Sequence, residues 1–107
     1  MSINENKTVW IGLVNLVPNE GNSELGDAKG AYVNILAYVE NKEHYINLVK
    51  FAVYEHNYIV SDIEDIDTFE HRVNNFEVSD DLKELAQKVL ETKKTHFGEF
   101  FVYGDEN

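Results

Sequence analysis

Cysteine is absent from the 107 residues. That excludes disulfides, thiolate nucleophiles and cysteine-ligated zinc or iron–sulfur sites. Proline occurs once, at Pro18, and arginine once, at Arg72. Positive charge is scarce altogether: 9 bases face 20 acids, a net charge of −11 at pH 7. Such a surface repels phosphate backbones and anionic headgroups, which argues against direct nucleic-acid or membrane binding. Long apolar runs are missing too. The longest, Val9 to Val17, is about half of the roughly 20 residues that a membrane helix requires. Met1 to Lys7 has no basic region followed by an apolar core, so no signal peptide is expected and the cytoplasm is the simplest location.

What is present suffices for a core: 43% of residues are hydrophobic and 12% aromatic. No repeat or linker interrupts the chain, which reads as one domain over residues 1–107. Residues 8–17 alternate as a strand with apolar side chains on both faces, Val9, Ile11 and Leu13 against Trp10, Val14 and Leu16. Residues 18–30 are polar and contain three glycines. They lack both the lysine-serine pair of a phosphate loop and the GxGxxG spacing, so the segment reads as a connector. Residues 31–39 alternate again. A helix over 41–56 carries Tyr45, Leu48, Val49, Ala52 and Val53 on one stripe, with Asn41 as its cap and Asn57 as a left-handed exit. A short strand is expected over 58–63, and an irregular acidic connector over 62–78.

Ser79 followed by Asp80 and Asp81 starts the clearest helix, 80–94, whose stripe is Leu82, Leu85, Ala86, Val89 and Leu90. Leu85 is read as core, and Leu85→Ala is expected to cost about 2–5 kcal/mol. Residues 96–103 form the last strand, with Gly98 marking a bulge. The order is β-β-α-β-α-β. It predicts an α+β two-layer sandwich: a mostly antiparallel four-stranded sheet with two helices on one face. The opposite face would then collect Trp10, Tyr32, Tyr38, Phe97, Phe101 and Tyr103, an open aromatic surface that suits an interface, a homodimer included.

Charge is lopsided. Residues 62–107 hold thirteen acids against five bases, a net of −8, whereas residues 1–61 hold seven against four, a net of −3. Asp62, Glu64, Asp65, Asp67 and Glu70 lead this run, opposed locally by Arg72 alone. An acidic patch either keeps a protein soluble or steers a basic partner. The four histidines form no HExxH pattern, and the serines lack a nucleophile-elbow context.

In size, acidity, lack of cysteine and α+β pattern, the chain resembles the small bacterial immunity proteins of contact-dependent growth inhibition systems. The resemblance implies an inhibitor without catalysis or cofactor, which occludes a basic toxin domain such as a nuclease. Asp62, Glu64, Asp65, Asp67 and Glu70 would then face toxin lysines and arginines, and Tyr32 and Tyr103 would serve as anchors. The alternative reading is a small dimeric α+β enzyme or ligand-binding domain, with tyrosines, histidines and Arg72 lining a cleft.

Overall fold

The structure is a computed structural model in which residues 6–104 are described; part of the leader expectation, on Met1 to Lys7, lies outside them. Its elements run β1 (Thr8–Pro18), β2 (Gly30–Val39), α1 (Lys42–Glu55), β3 (Tyr58–Thr68), α2 (Phe69–Asn75), α3 (Asp80–Thr92) and β4 (His96–Tyr103). Local chemistry sets the helix ends. Asn41 Oδ1 accepts from the His44 N–H at 2.8 Å, and Ser79 Oγ accepts from the Leu82 N–H at 3.2 Å. Asn57 leaves α1 at φ 68°, and Lys93 ends α3 at φ 60°. Among the described residues no helix is long and apolar enough to cross a membrane.

The fold is α+β. All strand pairs are antiparallel and the sheet order is β3-β1-β2-β4. β1 and β2 form the central pair. α1 carries the chain from β2 across to the β3 edge, and α2 with α3 carries it back to the β4 edge.

The two long helices take opposite faces of the sheet, not one. The register fixes this. Trp10, Gly12, Val14 and Leu16 of β1 stand beside Ala37, Ile35, Val33 and Ala31 of β2, and this face meets Tyr45, Val49 and Val53 of α1. Val9 and Ile11 stand beside Tyr38 and Leu36, and that face meets Ala86 and Val89 of α3. A central strand apolar on both sides needs cover on both sides. β1 is such a strand, and Leu36 gives β2 the same property at one end.

β3 is longer than the sequence suggests and absorbs half of the expected connector. Its register against β1 shifts twice, between Asn15 and Leu16 and between Ile11 and Leu13. Each shift inserts one residue. Val60, Ile63 and Ile66 therefore pack on the same core at a spacing of three. That spacing imitates a helix and hides the strand from a period-two reading. α2 follows at once. Thr68 caps it by accepting from the His71 N–H at 3.2 Å, and Phe69 joins the α3-side core.

Candidate docking face

α3 covers only one half of its face of the sheet. On the other half the register builds a row across all four strands: Asp62 beside Asn15, Asn15 beside Tyr32, Tyr32 beside Phe101. The next row sets Glu64 beside Leu13 and Leu13 beside Asn34. Phe101 is 53% exposed, Asp62 and Glu64 are exposed, and Leu13, Asn15, Tyr32, Asn34 and Tyr103 are half-buried. The result is an apolar and amide platform rimmed by carboxylates on the β3 edge.

Two contacts hold the platform in shape. Tyr103 donates its hydroxyl to Asn15 Oδ1 at 2.7 Å, and its ring lies 5.4 Å from that of Tyr32. To reach Asn15 the phenol passes over Gly30, where a Cβ would collide with it. A glycine there is thus a matter of space. The two rings are braced against each other, and Tyr103 against Asn15.

Of the residues that the sequence points to, Asp62, Glu64, Tyr32 and Tyr103 come together on this platform. Asp65, Asp67 and Glu70 do not. Asp65 is the left-handed residue of the second β3 irregularity, at φ 56°, and its carbonyl accepts from the Arg72 guanidinium. Asp67 turns inward along α2, 2.7 Å from His71 Nδ1 and 3.8 Å from Arg72 Nε. Glu70 is exposed in the first turn of α2. Arg72 thus ties the end of β3 to α2.

The expected aromatic face is also redistributed. Trp10 stands beside Ala37 and packs on the α1 side. Tyr38 lies at the α3 end, where Lys93 Nζ sits 4.4 Å from its ring centroid. Phe97 moves to the α1 side because the register of β4 shifts at Gly98–Glu99: Phe100 faces Val33 and Phe97 faces Ile35. Three of the six aromatics, Tyr32, Phe101 and Tyr103, stay on the open half.

Asn15 escaped the sequence reading, and Leu13 entered it only as part of the apolar face of the strand. The signal was a single amide at the centre of an otherwise apolar strand, a place where a polar side chain needs a partner or an opening. Phe51 and Tyr54 escaped it as well. They fall off the α1 stripe, are 60% and 63% exposed, and border a shallow groove with Lys50 and the start of β3. Asp62, on its edge strand, also borders the neighbouring groove toward Lys42 and Lys50.

No family model, curated protein or solved structure matches the chain.

Proposed function

We propose that the chain is a protein-binding inhibitor that docks a basic partner on the uncovered half of its sheet, as an immunity protein would dock a toxin nuclease domain. The row Asp62–Asn15–Tyr32–Phe101 carries the reading. It combines what a tight, fast interface uses: fixed aromatic anchors, an amide for register, and rim charges of one sign. The groove beside Phe51 and Tyr54 is the weaker docking surface for such a partner, because Lys42 and Lys50 lie along that side of α1.

The test is capture of a partner from the source cells at low salt, followed by measured affinity. The expected result is one basic domain, bound less well at high salt and bound much less well by Asp62→Lys/Glu64→Lys. The thermal midpoint of that variant should stay near wild type. Unchanged affinity in the variant overturns the reading. A stable dimer that buries this face and captures nothing overturns it too, in favour of the ligand-binding or enzymatic alternative.

A further inference from the structure

On the α1 side of the sheet, away from the docking platform, three irregularities of the backbone converge. The first is the β4 bulge. A regular strand would send Phe97 and Phe100 to opposite faces. The extra residue puts both beside Ile35 and Val33, with near-parallel rings whose centroids are 6.4 Å apart. The second is the left-handed Asn57, at φ 68°, which reverses the chain between His56 and Tyr58. The Tyr58 ring lies 6.0 Å from Phe100, and the His56 ring meets Phe97 edge-on at 5.2 Å.

The third is the β1–β2 connector, which is pinned rather than loose. Asn57 O accepts from the Asn19 N–H at 2.9 Å and from Asn22 Nδ2 at 2.6 Å. Asn22 Oδ1 in turn accepts the Glu24 N–H at 2.9 Å. This chain of bonds delivers Glu24, whose Oε1 accepts the Tyr58 hydroxyl at 2.8 Å.

Glu24, His56, Tyr58, Phe97 and Phe100 thereby line one cavity of about 310 Å³. Neither lysine nor arginine is among its five lining residues. Aromatic faces are the negative pole of the ring quadrupole and attract cations placed over them. A carboxylate beside them adds full charge. An uncharged apolar guest would strip water from the Glu24 carboxylate and leave it only the Tyr58 hydroxyl, whereas a cation neutralises its charge. The volume, about 310 Å³, is at the small end for a ligand pocket and accommodates a small organic cation.

We propose that this cavity binds an organic cation, an alkylammonium or guanidinium head, held by the rings of Tyr58, Phe97 and Phe100 and by the carboxylate of Glu24. A free small molecule or a lysine or arginine side chain of a protein can supply this head, and the test separates the two. The assignment is independent of the docking platform, which occupies the other face of the sheet. Either can fail alone.

The test is a titration of the intact protein, followed through the aromatic-ring NMR signals of Phe97, Phe100 and Tyr58. The probes are choline and its uncharged carbon isostere, in which a tert-butyl group replaces the trimethylammonium. Choline should shift these signals saturably in the millimolar range, and the isostere should bind roughly tenfold or more weakly. Phe97→Leu and Glu24→Gln should each weaken choline binding by roughly fivefold or more. The glutamine keeps an acceptor for Tyr58, so the fold is preserved; Phe100→Leu replaces Phe97→Leu if the latter unfolds.

Short peptides carrying one trimethyllysine or one arginine then separate the sources. Tighter binding than choline assigns a protein side chain, and weaker binding assigns a free ammonium. The proposal is overturned if no cation shifts these rings, if the isostere matches choline, or if the variants bind as wild type does.

Discussion

The phenol of Tyr45 lies across the backbone of Gly12. A Cβ at residue 12 would stand 2.8 Å from the Tyr45 hydroxyl oxygen, and that hydroxyl donates to the Ile35 carbonyl at 2.6 Å. This contact lets α1 sit close on the central strands. Gly12→Ala is expected to push the ring off its hydrogen bond and cost about 1–3 kcal/mol. Urea unfolding checks it. In a Tyr45→Phe background the same substitution should cost less, because the nearest clashing atom is gone, and the coupling appears in a double-mutant cycle.

The same phenol gives the fold a dependence on alkali. Burial pushes the Tyr45 hydroxyl well above its ordinary value of 10.0, with the Arg72 charge pulling it partly back. Burial also raises Tyr58, assisted by its bond to Glu24 and by the charge of that carboxylate. A raised value means that the folded state holds its proton when the unfolded chain has lost it. The stabilisation is thus complete below about pH 10 and is lost as pH rises through the folded value, by at most about 1.4 kcal/mol per pH unit for each such group. Urea midpoints measured from about pH 8 to about pH 11 should fall less in Tyr45→Phe than in wild type. An equal fall in both would mean that Tyr45 is not the group responsible.

Much of this was legible in the chain, and the failures share a cause. β1, β2 and α3 kept the period of their type, so their alternation and the α3 cap could be read directly; β4 was legible as a strand but not in its facing, because of its inserted residue. β3 and the place of Phe97 could not be read so, because single inserted residues turn a period of two into three (Val60, Ile63, Ile66) or move a ring to the other face. The platform was half legible. Asp62, Glu64, Tyr32 and Tyr103 stood out by charge and aromaticity. That Asn15 lies between Asp62 and Tyr32 depends on strand order, which no local pattern carries.

Asp65 tests the β3 irregularity itself. A left-handed residue strains any side chain with a Cβ, least for aspartate and asparagine and most for a β-branched residue. Asp65→Gly should leave stability within about 0.5 kcal/mol of wild type or raise it, and Asp65→Val should lower it by about 1–2 kcal/mol. Because Arg72 contacts the carbonyl and not the carboxylate of Asp65, Asp65→Gly should also keep α2 in place. The check is hydrogen exchange over residues 69–75.

The placement of α3 on its own face changes the expected cost of core truncation. Leu85 is half-buried, whereas Val89 is fully buried between Val9, Ile11 and Leu36. Leu85→Ala should therefore fall below the usual range for a buried leucine, at about 1–2 kcal/mol. Val89→Ala should cost about 2 kcal/mol despite losing fewer atoms. Comparable denaturation midpoints for the two variants would fit this placement. A Leu85→Ala cost several times larger would not.

The two exposed aromatic surfaces give opposite expectations for partner binding, and kinetics separates them. Tyr32 lies in a central strand of the docking platform and is braced by Tyr103, so its truncation removes an anchor that a partner would desolvate. Tyr32→Ala should cost at least about 2 kcal/mol of affinity, expressed mainly as faster dissociation. Asp62 sits on the rim, where a charge acts before contact. Asp62→Asn should slow association and flatten its salt dependence while leaving dissociation nearly unchanged. Phe51→Ala, on the α1 surface beside Lys50, should change neither rate. If Phe51→Ala slowed association or sped dissociation while Tyr32→Ala did not, the partner would be docking on the groove between α1 and β3, and the charge that guides it would be of mixed sign.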